Sequence, residues 1–295
     1  MSDPGAPQGH PQLRGILLMV IAVGIFALMD TIAKYLSRWY PVPVIVWVRY
    51  VVNLALLVGY LAATGALHRL RTARPGLQTL RGLLLATATF LYFTSLTVLP
   101  IAEAAGIAFV LPLFVALLAV PMLKERLDAP RLAAVLVGLA GALVIVRPGA
   151  GVFSWFALLP MGMALTNALY QILTRKISGV EHPMTSLFYG ALVGTLMFTV
   201  ALPVVWAAPQ SVTHWLLLAT MGALGLLGHL ALIRALDHAP ATLLAPFSYS
   251  QLLWVMLLGF AVFGDFPDGW SLIGMAIIVV SGLYLVNRQR LAVRR

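Results

Sequence analysis

The chain has 295 residues, of which 61% are hydrophobic and 9% charged, with no cysteine and a formal net charge of +10. An ordinary soluble domain carries about 25% charged residues, so the composition excludes one. The lack of cysteine excludes disulfides, thiolate metal sites and haem attachment. In so apolar a chain the basic excess is read as an orienting signal in a membrane, not as a nucleic-acid surface.

The first twelve residues, MSDPGAPQGHPQ, form a polar tail. The apolar run that follows lacks a signal-peptide cleavage pattern and is long enough to span a bilayer. Ten runs of this kind are predicted, over about 13–36, 42–64, 77–96, 101–123, 130–146, 152–174, 183–206, 214–236, 241–263 and 270–286. Alternating strands of membrane-barrel type are absent. Pro and Gly fall in many of the connections, as helix ends require.

The chain repeats itself. Leu99-Pro100-Ile101 opens the fourth run, which ends in the charged turn Lys124-Glu125-Arg126-Leu127-Asp128; about 140 residues later Pro240 opens the ninth run, which ends in Gly264-Asp265 with Asp268 beyond. Upstream, Ala27-Leu28-Met29-Asp30 answers Ala168-Leu169-Tyr170-Gln171, and Lys34 answers Arg175. The expected organisation is a tail over 1–12, a five-helix unit over 13–147 and a second over 148–295.

Basic residues set the expected orientation. With the N-terminus inside, the inner side collects Arg69, Arg71, Arg74 and Arg81; Lys124, Arg126 and Arg131; Arg175, Lys176 and Arg234; and the C-terminal arginines, while the outer side receives Lys34, Arg38 and Arg147. That bias places both termini in the cytoplasm. Five spans per half is odd, so the second half enters from the opposite side. The predicted fold is an all-α membrane protein of ten transmembrane helices in two inverted-topology five-helix repeats, which builds its substrate site between the halves.

These features resemble the drug/metabolite transporter superfamily, specifically its EamA-type members. The resemblance is carried by Arg49 early in the second span, Pro100 opening the fourth, Lys124-Glu125-Arg126 closing it, and Pro240 opening the ninth. Gly264-Asp265 stands where the family often has Gly-Glu. The resemblance implies a secondary carrier with a central cavity lined by helices 1–4 and 6–9, with helices 5 and 10 peripheral. It does not imply a substrate; such carriers move amino acids, nucleosides, vitamins and methylated cofactors, and many export.

Ionisable groups inside spans need a physical reason, because burying them in lipid costs at least ~2.5–3.5 kcal/mol. Asp30 has two expected partners: Lys34 one turn along its own helix, and Arg49, which lies at equal depth across the first hairpin. Arg49 is read as a permanent bridge to Asp30, as a ligand for a substrate carboxylate, which its planar fork suits, or as a donor to backbone carbonyls. Glu103, three residues past Pro100, is read as a helix-start charge or a proton carrier.

Asn167, Tyr170 and Gln171 in the sixth span, with Asn167 and Gln171 one turn apart on one face, either glue helices together or meet substrate. Ser248, Tyr249, Ser250, Gln251 and Trp254 in the ninth form a polar cluster beside aromatics, and Tyr92 and Phe93 in the third could join it. Arg234 and Asp237 are expected to pair at the membrane face. His229 is expected to hydrogen-bond a neighbouring helix, with a proton relay as the alternative. Gly138, Gly141, Gly274 and Gly282 are expected to bring spans five and ten together.

No Walker loop, HExxH or G-x-S-x-G elbow is present, so no enzyme and no cofactor is expected. The expected function is secondary transport in the inner membrane, most simply the export or exchange of amino acids or related small polar or amphiphilic metabolites. Uptake of a vitamin or methylated nucleoside-type metabolite is the alternative, and a membrane enzyme or lipid-handling protein is the alternative of another class. Expected partners are the small-molecule substrate, the lipid bilayer and a proton or counter-substrate; the chain acts as a monomer or homodimer and binds no nucleic acid.

Overall fold

The computed structural model describes residues 11–124, 129–147, 155–177, 180–239 and 241–293. Glu125 to Asp128 of the charged turn, Ser178, Pro240, Arg294 and Arg295 lie outside these ranges. The described residues form α-helices and short 3-10 turns.

The first half comprises α1 (Pro11–Leu36), α2 (Val42–Ala63), α3 (Pro75–Leu96), α4 (Ile101–Ala108), α5 (Leu111–Leu123) and α6 (Ala129–Val146). The second comprises α7 (Leu158–Ile177), α8 (Pro183–Thr199), the short α9 (Leu202–Val205), α10 (Val212–His238), α11 (Ala241–Ser248), α12 (Ser250–Phe263) and α13 (Gly269–Val293). Seven spans are long and apolar enough to cross a bilayer by length and composition alone, with shorter apolar segments at Leu132–Val146 and Gly269–Leu285. Taken with α8, and with α4–α5 and α11–α12 each counted as one span, they make ten.

Local chemistry sets the boundaries. Prolines with no amide hydrogen to offer occupy the first turns of α2, α3 and α8. Ser211 caps α10 by accepting from the His214 amide at 3.2 Å. Gly264 closes α12 at φ 73°, a left-handed conformation that suits glycine.

Two of the predicted continuous spans are broken. The fourth breaks at Phe109-Val110, just before Pro112, and the ninth at Tyr249, three residues after Pro246. Pro112 removes one i→i−4 bond and crowds the preceding turn, which tightens the chain there into a short 3-10 step. Leu113 N bonds Val110 O at 2.9 Å, and Leu252 N bonds Tyr249 O at 3.0 Å.

One apolar core runs through both halves, from Ala27 and Ile45 through Ile101 and Leu113 to Ala164, Leu218 and Val255. Spans five and ten, α6 and α13, pack side by side. A Cβ on Gly141 would stand 3.0 Å from the Gly274 carbonyl, so there the two backbones touch. The start of α1 lies beside the end of α10, where a Cβ on Gly15 would sit 2.8 Å from that of Ala239. This end of the bundle is called the terminus-bearing end below.

Candidate functional site

A cavity of about 530 Å³ opens between the halves. Its walls come from α1 (Met19, Val23, Phe26), α3 (Tyr92), the α4–α5 break (Ala105 to Ala116), α7 (Met163, Asn167, Gln171), α10 (Leu232), the α11–α12 break (Ser248, Tyr249, Gln251) and α13 (Gly282, Leu285). The lining runs from Tyr92 and Gln251 toward Met19, Leu232 and Leu285, so the space lies on the terminus-bearing side of mid-bundle. The expectation that spans five and ten are both peripheral is corrected for the tenth. Gly282 has no side chain, and a Cβ there would overlap the Tyr249 hydroxyl, so α13 reaches the wall.

Both helix breaks face this cavity, and their aromatic residues meet. Phe109 stacks on Tyr249 with ring centroids 5.1 Å apart and planes 29° from parallel. On α7, in the same lining, Gln171 Nε2 donates to Asn167 Oδ1 at 3.3 Å. That bond occupies one donor and one acceptor and leaves Asn167 an amide donor and Gln171 a carbonyl acceptor. Flipping both amides exchanges these roles and still leaves one donor and one acceptor. Gln251 Nε2 reaches Asp30 Oδ2 at 3.5 Å, which turns the Gln251 carbonyl away from Asp30. The lining carries no charged side chain among the described residues.

Asp30 is buried just behind this wall, with Arg49, Tyr92 and Gln251 as its electrostatic neighbours. The expected pair with Lys34 does not form. Lys34 Nζ turns instead to Asp265 at 3.5 Å and to the Leu99 carbonyl at 2.7 Å. Nor do Asp30 and Arg49 bridge directly. Arg49 Nε contacts the Met29 sulfur at 3.2 Å, its guanidinium lies over Tyr50 at 5.0 Å and Phe93 at 5.8 Å, and its Nη1 has no hydrogen-bond partner. The attraction between Asp30 and Arg49 acts across a gap.

Glu103 stands in the first turn of α4 at the far end and accepts from Ser271 Oγ at 3.2 Å. Nearby, Arg147 pairs with Asp268, whose Oδ1 accepts from the Ser271 amide at 2.8 Å. With Lys34–Asp265, these contacts pin the α12–α13 connection of the second half to α1, α4 and the end of α6. The hydrogen bonds from Ser271 and the charge of Arg147 hold the Asp268 carboxyl below its ordinary range.

Tyr170 and Trp254 are set apart from the cavity. Tyr170 takes part in a knot around Arg81 at the terminus-bearing end, and Trp254 packs its ring against Gly24 on the outer surface of α1. The sequence reading counted Arg81 among loop charges, yet the structure buries it almost completely. Its guanidinium donates to Gln78 Oε1 at 2.6 Å, Thr174 Oγ1 at 2.9 Å and the Tyr170 hydroxyl at 3.4 Å. A turn-by-turn count would have found it, since it lies two turns inside α3.

Two smaller expectations are also corrected. Arg234 and Asp237 form no ion pair among the described residues; the Arg234 carbonyl is instead bonded by the His238 ring at 2.7 Å. His229 packs edge-on against Phe26, and its Nδ1 has no hydrogen-bond partner. Phe109, one of the cavity residues that sequence reasoning missed, carried a signal: it stands 140 positions before Tyr249, the offset that relates Pro100 to Pro240.

Comparison with known proteins agrees with this architecture. The model of the EamA-like transporter family matches twice, over residues 13–147 and 154–288. The riboflavin transporter of Vibrio cholerae serotype O1 is 31% identical over 97% of both chains. The S-adenosylmethionine uptake transporter of Rickettsia conorii is 30% identical over 96% of both. The pseudopaline exporter CntI of Pseudomonas aeruginosa is 30% identical over 94% of this chain and 97% of its own. A solved crystal structure, 20% identical, shares the fold with a TM-score of 0.66 over 95% of this chain and 98% of the other. This multi-pass membrane protein, built of two EamA repeats, belongs to the EamA-like transporter family of the drug/metabolite transporter superfamily.

Proposed function

We propose that the chain is a secondary carrier for a flat, polar heterocyclic metabolite of the riboflavin or nucleoside type, not for a free amino acid. The observation that carries this reading is the wall of the cavity. It holds an aromatic stack, Phe109 on Tyr249, and an amide pair, Asn167 and Gln171, with no charged side chain in the lining. A flat ring is stabilised against such aromatics by about 0.5–1.5 kcal/mol beyond its burial. A heterocycle edge with an adjacent N–H and carbonyl, or amino group and ring nitrogen, satisfies the free amide donor and acceptor together. An α-carboxylate would enter this wall without a cation, at a large desolvation cost. The volume suits a ligand of this size, since small-molecule sites measure ~300–1,000 Å³.

Transport runs by alternating access between the two halves, 13–147 and 148–295, down the gradient of the substrate, a counter-substrate or protons. The protein lies in the inner membrane with both termini cytoplasmic, which the distribution of basic residues supports. The cavity then faces the cytoplasm, and the Lys34, Glu103 and Arg147 contacts close the outer side. Of the residues read as site candidates, Tyr92, Asn167, Gln171, Tyr249 and Gln251 contact substrate, and Asp30 acts through Gln251.

Counter-flow into liposomes holding only the purified chain tests the reading. Labelled riboflavin or adenosine is expected to exchange, and labelled alanine is not. Exchange of alanine with neither heterocycle transported overturns it.

A further inference from the structure

A second pocket, of about 340 Å³, opens at the terminus-bearing face, away from the transport cavity. It is lined by His68, Arg69, Arg71, Glu181, His182 and Thr185, with Ala73 and Val180. Its two walls belong to different halves: the connection between α2 and α3, and the start of α8. They are tied together by Thr185 Oγ1, which donates to the Arg69 carbonyl.

The charges in this pocket do not balance. Glu181 is its acidic residue, and both of its oxygens are engaged. Oε1 accepts from Thr72 Oγ1 at 2.9 Å and the Ala73 amide at 3.1 Å, and Oε2 accepts from Gln78 Nε2 at 3.4 Å. The exposed guanidinium groups of Arg69 and Arg71 have no hydrogen-bond or ion-pair partner among the described residues. His182 is held below the usual histidine range by burial and by the charges of Arg69 and His68, as in a site short of negative charge. The amide hydrogens of the first turn of α8 add to the positive field.

The pocket also lies at a particular depth. α2 ends, α3 begins and α8 begins around it, so it sits where spans leave the bilayer. Leu67 and Val180 stand exposed beside it, 46% and 58% open. A soluble anion has no use for that apolar rim, whereas a lipid's glycerol and upper acyl chain do.

We propose that this pocket binds the phosphate headgroup of an anionic phospholipid, with Arg69 and Arg71 as its principal ligands and Leu67 and Val180 against its glycerol backbone. Basic pockets between spans recognise lipid phosphates through the same charge-assisted contacts. A headgroup held here bridges the two halves and stabilises the arrangement in which Glu181 pins the α2–α3 connection. The proposal does not depend on which substrate the carrier moves.

The test is thermal melting of the purified full chain in detergent with added phosphatidylglycerol, phosphatidylcholine or inorganic phosphate. Phosphatidylglycerol is expected to raise the melting temperature by several degrees, and phosphatidylcholine is not. In the double variant R69Q/R71Q the phosphatidylglycerol dose needed is expected to rise roughly tenfold or more. Without lipid that variant melts like the parent, because neither guanidinium has a partner to lose. R14Q, which removes a charge elsewhere near the chain start, keeps the full shift. An undiminished shift in R69Q/R71Q, or an equal loss in R14Q, overturns the site. An equal rise with inorganic phosphate overturns the lipid as occupant and assigns the pocket to a soluble phosphate.

Discussion

Phe109 and Tyr249 stack across the boundary between the two halves, 5.1 Å apart, each at the break of a proline-interrupted span. They are the same position of the repeat, met twice. Interrupted helices expose backbone and side chains at mid-membrane only where they face a cavity. In this chain the two breaks face one cavity together.

Losing either ring is expected to weaken substrate binding. Phe109→Ala or Tyr249→Ala removes a stacking partner worth about 0.5–1.5 kcal/mol. The half-saturating substrate concentration in counter-flow should rise about two- to tenfold, with expression retained. Tyr249→Phe keeps the ring and should transport nearly as well as the parent. An unchanged half-saturation in both alanine variants would remove the stack from the substrate site.

The far-end contacts predict a conformational bias. Lys34–Asp265 joins the halves at 3.5 Å, with the Lys34 side chain 12% and the Asp265 side chain 41% exposed. Ion pairs of this partly exposed kind contribute about 0.2–1 kcal/mol, enough to shift a two-state population a few-fold. A cysteine placed at Ala105, in the cavity wall of this cysteine-free chain, reports that population. Asp265→Asn should speed its alkylation from the side opposite the termini about 1.5- to five-fold. Equal rates would mean that the pair does not hold this side closed.

Two groups outside the spans lower stability as pH falls, each in its own pH window. Asp268 has its pKa lowered in the fold, by Ser271 first and then by Arg147. Its stabilisation is present at every pH above 3.8 and is lost only as pH falls through the lower folded value. His182 is also lowered, from 6.5, chiefly by burial. The unfolded chain therefore takes up that proton first, and stability declines as pH drops below 6.5. His182→Asn keeps a cap on α8 and should flatten the melting-temperature slope between pH 5 and 6.5. Asp268→Asn should leave that slope as it is. A slope unaltered by His182→Asn would show that other groups set it.

The fold was legible because hydropathy and the 140-residue echo are properties of single letters in order. Pro100 and Pro240 marked the starts of two spans, and the arginine distribution gave a consistent orientation. Partner choice was not legible, because it depends on how helices rotate about their axes. Asp30 and Lys34 lie one turn apart, yet tertiary contacts draw Lys34 to Asp265 in the other half. Asn167 and Gln171 were readable as a face, and the structure turns that face to the cavity. Tyr170, between them in sequence, points by helical rotation to Arg81. The burial of Arg81 was missed because a loop-by-loop charge count assigns any basic residue near a span end to water.

The last prediction concerns Arg49. It is buried with one guanidinium nitrogen lacking a partner, and Asp30 is the carboxylate whose charge it feels. Removing one member of a buried charge pair leaves the other uncompensated and typically costs 3–5 kcal/mol. The gap between these two places the cost at the low end. Arg49→Met should therefore lower stability by on the order of 3 kcal/mol, measured by denaturant titration in detergent micelles. Asp30→Asn added to it should recover most of that loss, because an amide needs no counter-charge and its oxygen still accepts from Gln251. Arg49 lies outside the cavity wall, so the double variant should also regain counter-flow of the heterocycle. A double variant that is stable but inactive would instead assign Arg49 a direct contact with substrate in the opposite-facing state. Arg49→Met with parental stability would show that Asp30 needs no charge beside it.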